Sequence, residues 1–73
     1  MNIAYGRQKR IDVNPGDLIK YQVVSGARFL GIVLDSKETG FPRNLTYLHV
    51  LCNDDDDYVK RINTNLILNI EMI

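Results

Sequence analysis

The sequence predicts a single small all-β domain, in which five short strands close into a barrel. A turn followed by a strand in residues 15–21 is answered ten residues later by a second, more apolar strand in residues 31–35. No segment offers ten residues of helical periodicity. Since 73 residues leave room for one domain with a narrow stability margin, we expect an extended N-terminal arm at residues 1–14 and the barrel at residues 15–73.

The first half of the chain supplies the arm and two strands. The arm is polar and lacks periodicity until Ile11 and Val13, which predict a short strand at its end. Asn14-Pro15-Gly16 is a turn signal, because proline sets one backbone dihedral and glycine tolerates the next. Residues 17–24 then alternate between apolar and polar side chains. This predicts a strand with one solvent-exposed face and one apolar face, which is formed by Ile19, Tyr21 and Val23.

Residues 28–36 are nearly all apolar, which is typical of a central strand buried on both sides. Gly31 inside this run suits either a bend or the close approach of two strands, as barrel closure requires. Residues 37–44 contain Gly40, Pro42 and Asn44 and predict a surface loop.

The second half predicts a hairpin, a tight corner and a last strand. Residues 45–52 alternate and residues 58–62 resume the pattern, with an acidic tip between them. Residues 63–66 predict a helical turn or corner, and residues 67–73 a final strand that is apolar almost to its end. That strand either completes the core or leaves an edge that pairs with a second copy.

The order of these elements resembles the SH3-like small barrel. Gly16-Asp17-Leu18-Ile19-Lys20-Tyr21 looks like the Gly-Asp-x-Val opening of KOW-type barrels, and Gly31-x-Val33 matches the second half of that pattern. The resemblance implies a five-stranded binding scaffold and, from KOW barrels, a role in RNA binding. The chain is also similar in build to small accessory proteins of tailed bacteriophages, which implies a place in the host cytoplasm or the virion.

Composition narrows the class of protein. Hydrophobic residues make up 45% and charged residues 25%, which argues against a disordered chain. No apolar run approaches the eighteen residues of a membrane span, and the N-terminus does not resemble a secretory signal. The single cysteine, Cys52, excludes an intramolecular disulfide and favours a reducing compartment.

The net charge is zero but unevenly distributed. Residues 1–28 carry five cations against two acids, a net of +3, and residues 29–73 carry four cations against seven acids, a net of −3. A molecule with opposite net charges in its two parts is suited to docking through its basic end on a polyanion or on an acidic patch of a partner.

The strongest binding candidate is the basic segment of the arm. Arg7, Lys9 and Arg10 can follow phosphates while the ring of Tyr5 stacks on a base, and the predicted site is completed by Lys20 and Arg28. The same segment can instead be a solvated tail, or an arm that pairs with a neighbouring subunit.

Four consecutive acids form the predicted hairpin tip: Asp54, Asp55, Asp56 and Asp57. Clustered carboxylates attract calcium, but the alternating spacing and distal glutamate of a calcium loop are absent, so we expect no metal. A solvated turn that discourages edge-to-edge aggregation is the preferred interpretation. An acidic knob that mimics phosphate is the alternative.

The aromatic residues divide into core and surface. We expect Tyr21, Tyr58 and Phe29 in the core. Since SH3-like barrels often build a ligand groove from loop aromatics, a second candidate site is the patch Phe41, Arg43 and Tyr47. Phe41 can alternatively cap one end of the barrel.

Catalytic chemistry is not predicted. His49 and Cys52 lie three residues apart on a strand and therefore face opposite sides, which disfavours a nucleophile–base pair or a shared metal. Cys52 is expected in the core and His49 on the surface, and no second histidine is available for zinc. We therefore expect no enzyme and no cofactor.

The sequence thus favours a non-enzymatic binding or assembly module that docks to a protein partner through residues 1–14 and an edge strand. The first alternative is a nucleic-acid-binding barrel that uses the basic arm. The second is an inhibitor that places its acidic tip in a basic site of a host enzyme.

Overall fold

The computed structural model describes residues 1–40, 44–53 and 57–73. The described chain holds seven β-strands and one 3₁₀ turn, Thr64–Leu66. In chain order the strands are β1 (Asn2–Tyr5), β2 (Lys9–Asp12), β3 (Leu18–Val23), β4 (Arg28–Thr39), β5 (Leu45–Asn53), β6 (Asp57–Asn63) and β7 (Ile67–Met72). The all-β prediction is confirmed.

The strands form two antiparallel units. β1 and β2 pair as a hairpin, and the other five strands form one sheet in the order β6-β5-β4-β3-β7. The five predicted strands after residue 15 are therefore present, and their sheet has β6 and β7 as its two edges. Within the part of the chain that the structure describes, these edges do not pair with each other, so the expected closure into a barrel is not seen.

The strands with alternating sequences face as predicted. In β3, Ile19 and Tyr21 are buried, and in β5 so are Leu48, Val50 and Cys52. The turn before β3 forms where expected: the Asp17 N–H donates to the Asn14 carbonyl at 3.0 Å, and the Asn14 N–H donates to the Asp17 carboxylate at 2.7 Å. Period-two patterning thus identified the inner face of the sheet correctly.

The long strand β4 corrects one prediction. It is central, as expected, but it is not buried on both sides, because Leu30 and Ile32 are 51% and 38% exposed on the outer face. It also continues to Thr39, which shortens the predicted loop at residues 37–44. An apolar run therefore indicated the strand but not what covers each face.

Gly31 marks a close approach between β4 and β5. A β-carbon at this position would collide with the side chain of Val50 and lie 3.0 Å from the carbonyl oxygen of Leu51. Only glycine leaves the room that this strand pair uses. The predicted close approach of two strands is confirmed.

The N-terminal segment differs from the expected extended arm. It forms the β1–β2 hairpin, and its apolar side buries Ile3, Tyr5 and Val13 in the main core. The Gly6 N–H donates to the Thr64 carbonyl at 3.0 Å, which joins the hairpin to the 3₁₀ turn. The physical reason is apolar area, since one face of a small sheet needs a second layer to cover it.

The corner before the last strand is confirmed as the turn Thr64–Leu66. The Asn63 side chain accepts from the Asn65 N–H at 3.0 Å, and the buried Thr64 hydroxyl donates to the Thr46 carbonyl at 3.2 Å. These bonds fix how the chain passes from β6 to β7.

One core lies between the inner face of the sheet and the hairpin. Tyr21 is buried and Phe29 is partly buried against this core, with their ring centres 5.4 Å apart. Tyr58 was predicted to be in the core but is 42% exposed. It lies near the start of the edge strand β6, where fewer neighbours can cover a side chain.

Candidate interaction surface

A row of apolar side chains crosses the outer face of the sheet. Leu18 on β3 pairs with Ile32 on β4, Ile32 pairs with Leu51 on β5, and Leu51 pairs with Val59 on β6. At the other end the N–H of Ile73, directly after β7, donates to the Leu18 carbonyl at 3.1 Å. We call this set the apolar row: Ile73, Leu18, Ile32, Leu51 and Val59.

The apolar row is open to solvent. Four of its members are exposed and Leu51 is half-buried, with Val59 at 58%. Two further exposed leucines of β4, Leu30 and Leu34, flank the row. Leu34 is the additional residue of a β-bulge between Val33 and Asp35. Single exposed apolar residues are normal on proteins, whereas a continuous apolar row on one face is uncommon on a monomer.

Polar residues border the row on the side of β3 and β7. Lys20 lies opposite Glu71, and Gln22 lies opposite both Arg28 and Asn69. These five side chains surround a shallow cavity of about 100 Å³. The sheet therefore brings together two of the predicted binding residues, Lys20 and Arg28, although neither belongs to the N-terminal segment.

The opposite border carries a different set of contacts. The Asp35 carboxylate bonds the Nδ1 atom of His49, and His49 pairs in register with Arg61 on β6. The Arg61 guanidinium carbon lies 3.9 Å from the centre of the Tyr47 ring. Charged groups on this side are thus already engaged with one another or with an aromatic ring.

The structure describes one of the three residues of the predicted aromatic patch. Tyr47 lies half-buried on the outer face, while Phe41 and Arg43 fall outside the described residues. The cation beside Tyr47 is Arg61, which the sequence reasoning missed. The register of the predicted hairpin would have found it, because residues 47 and 61 become diagonal neighbours once β5 and β6 pair.

The basic segment of the hairpin is held by local contacts. The Lys9 ammonium donates to the Leu68 carbonyl at 2.8 Å, and Arg10 donates to the Asn2 side-chain oxygen at 2.9 Å. Tyr5 is only 7% exposed, which places its ring in the core and not on the surface as a stacking platform. Arg7 is exposed beside a cleft on this side of the molecule.

A second cleft lies beside the edge strand β6. It has a volume of about 420 Å³, and its apolar lining includes Val24, Phe29 and Leu66. The Lys60 ammonium lies 3.6 Å from the centre of the Phe29 ring at the margin of this cleft. Lys60 was not among the predicted site residues, and its contact joins two segments that are distant in sequence.

The remaining predicted groups do not assemble a chemical site in the described chain. Cys52 is buried on the inner face, and His49 lies on the outer face, as predicted. Asp54, Asp55 and Asp56 lie outside the described residues, and Asp57 begins β6. Among the residues described, no group of three metal-ligating side chains occurs. No helix in the described ranges has the length and apolarity to cross a membrane.

Comparisons with protein-family models, curated proteins and solved structures find no match for this chain.

Proposed function

We propose that this protein is a non-enzymatic binding module that docks to a protein partner through the apolar row and the adjoining edge strand β6. The observation that carries the proposal is the unbroken register of the row, from Leu18 through Ile32 and Leu51 to Val59. Such an exposed face costs solubility, and burial against a partner removes that cost.

The dimensions of the row fit a protein surface. Strands in a sheet lie about 4.8 Å apart, so side chains on five neighbouring strands span roughly 19 Å. The row is bordered by Lys20, Arg28 and Glu71 on one side and by Asp35 and Arg61 on the other. An apolar centre with a charged border is the usual composition of a protein–protein interface.

The scaffold we propose is an SH3-like fold of the type used for assembly, as in small phage accessory proteins, with its sheet left open between β6 and β7 in the described residues. The strand order supports it, because the last strand, β7, lies beside β3, the first strand of the sheet. The single 3₁₀ turn between β6 and β7 also supports it. On this scaffold the β1–β2 hairpin is an addition that covers the core, and the outer face remains for binding.

A hydrophobic fluorescent dye tests whether the row is the apolar binding face. The variant Ile32→Ser/Leu51→Ser is expected to lose most dye binding, because it interrupts the row at its centre. The matched control Val24→Ser/Leu66→Ser removes two exposed apolar side chains from the cleft beside β6 and leaves the row intact. The reverse pattern, with binding lost only in the control, would assign binding to the cleft and overturn the proposal.

A second candidate function is nucleic-acid binding, and one observation favours it. Lys20 and Arg28 lie on adjacent strands of the outer face and line the same cavity. Neither makes an ion pair with another of the described residues. Two neighbouring cations of this kind can contact phosphates.

Binding to fluorescent single-stranded DNA, duplex DNA and RNA separates the two functions. We expect no binding at low salt. Binding that weakens steeply with salt and is lost in Lys20→Ala/Arg28→Ala would move the protein to the nucleic-acid class. The control is Lys37→Ala, which removes an exposed cation near the far end of β4.

A further inference from the structure

We propose that two copies of this protein associate through β6, so that their sheets join into one antiparallel sheet with Val59 of each copy at the two-fold axis. The inference rests on the proposed function, since it names a second copy of this chain as the partner at the β6 edge. It is carried by three observations: the open edge, the charge order along β6 and the position where the apolar row ends.

The first observation is the edge itself. β6 pairs with β5 on one side and has no strand on its other side within the described residues. Lysines normally protect such edges by extending from them into solvent. Here Lys60 is held against the Phe29 ring, so this cation turns back onto its own protein and does not extend from the edge. The backbone of β6 is therefore left accessible to another strand.

The second observation is that the sequence of β6 complements itself. β6 begins Asp57-Tyr58-Val59-Lys60-Arg61 and continues to Asn63, so an acid precedes Val59 and two cations follow it. When two copies run antiparallel with Val59 opposite Val59, position 57 of each lies opposite position 61 of the other. Opposite charges directly across two strands are favourable, and like charges are unfavourable.

Neighbouring registers fit less well. A two-fold axis at Lys60 places two lysines opposite each other, and an axis at Arg61 does the same with two arginines. A two-fold axis that passes between two consecutive residues of β6 would place each outward-facing side chain opposite an inward-facing one of the other copy. The alternation of side chains along paired strands does not allow this. Charge and pleat together favour the axis at Val59 over an axis at Lys60, at Arg61 or between two residues.

The third observation is continuity of the apolar row. Val59 is the last member of the row and is 58% exposed at the edge of the sheet. The proposed register brings the two Val59 side chains together on the outer face. The row then runs without a break from Ile73 of one copy to Ile73 of the other, across ten strands.

Sedimentation over a concentration series tests the proposal. A strand pair of this length buries less than a standard interface, so we expect a monomer–dimer equilibrium visible between about 10 μM and 1 mM. Val59→Glu is expected to weaken the dimer roughly tenfold or more, because it places two like charges at the axis. The matched control Leu68→Glu alters an exposed apolar residue of β7, outside the row and at the opposite edge of the sheet, and should leave the dimer unchanged.

A charge exchange tests the register. Arg61→Asp alone should weaken the dimer, because it places two acids opposite each other, and Asp57→Lys/Arg61→Asp should restore it. Both variants lose the contact between Arg61 and Tyr47, so loss of that contact cannot explain a difference between them. Restoration in the double variant therefore supports the axis at Val59. Urea unfolding of each variant identifies any variant that fails to fold. If Val59→Glu does not fold, the charge exchange between positions 57 and 61 still tests the proposal.

The outcomes separate this inference from the proposed function. A wild-type protein that stays monomeric throughout, a dimer unaffected by Val59→Glu, or a charge exchange without restoration each overturns the inference. Dye binding that still depends on Ile32 and Leu51 would then leave the apolar row as a docking face for a different protein. Loss of both results would overturn the proposed function as well.

Discussion

At the scale of single residues, Gly31 is one of two described glycines at which a β-carbon would meet another atom within 3.0 Å. Its backbone does not adopt a positive φ, so its requirement is space and not conformation. A β-carbon at this position would collide with the side chain of Val50 and lie 3.0 Å from the carbonyl oxygen of Leu51. One hydrogen in place of a methyl group is therefore what lets β4 and β5 pair at this point.

Gly31→Ala is expected to lower the free energy of unfolding by about 1–3 kcal/mol, because overpacking forces the paired strands to shift. Urea denaturation measures this change. Gly40→Ala is the matched control, since no atom lies within 4 Å of its built β-carbon, and it should change stability by less than about 0.5 kcal/mol.

A second substitution separates a steric cause from a backbone cause. Val50→Ala removes the methyl groups that collide with the new side chain, although it leaves a cavity of its own. The double variant should therefore be more stable than the sum of the two single changes, by about 0.5 kcal/mol or more. Strict additivity would contradict the steric explanation.

At the scale of elements, β4 shows how one strand serves two purposes. Val33 faces inward and is fully buried, while its neighbour Ile32 faces outward in the apolar row. Both residues are apolar, so composition does not separate their roles. Their different surroundings are a property of the sheet, which is covered by the hairpin on one face only.

Replacement by threonine on the two faces of β4 should lower the free energy of unfolding by unequal amounts. Val33→Thr places a hydroxyl in the core without changing the shape of the side chain, and it should cost about 1–3 kcal/mol. Ile32→Thr should cost less than about 1 kcal/mol, because its hydroxyl reaches solvent. Chemical denaturation compares the two variants, and equal costs would mean that both faces of β4 are buried.

At the scale of the whole molecule, the β1–β2 hairpin completes a core that the sheet cannot close by itself. Ile3, Tyr5 and Val13 belong to one buried cluster together with residues of all five sheet strands. Backbone bonds join the hairpin to the 3₁₀ turn, and the Lys9 side chain bonds the Leu68 carbonyl. The first fourteen residues are consequently part of the fold.

Tyr5→Ala should therefore destabilise the protein by about 3 kcal/mol or more, as truncation of a buried aromatic residue does. Arg7→Ala, two residues along the same hairpin but exposed, should be neutral within about 0.5 kcal/mol. Thermal unfolding of the two variants checks the contrast. A Tyr5→Ala protein as stable as the wild type would mean that the segment is a free arm.

Part of the candidate surface could be predicted from the sequence. Alternation identified the inner faces of β3 and β5, and it placed Tyr47 and His49 on the outer face. The apolar row was not predicted, because its members come from five separate segments and meet only through strand register. Ile3 and Tyr5 do alternate with Asn2 and Ala4, which was a short strand signal within the N-terminal segment.

The sequence by itself determined the local structure: an all-β chain, the turn at residues 14–16, the inner faces of two strands and the corner after β6. These features depend on neighbouring residues, through period-two alternation and the dihedral limits of proline and glycine. The tertiary structure decided which apolar residues are covered. Burial depends on what lies across the sheet. Local patterns carry no information about a second layer supplied by the hairpin, or about an outer face that none of the described residues covers.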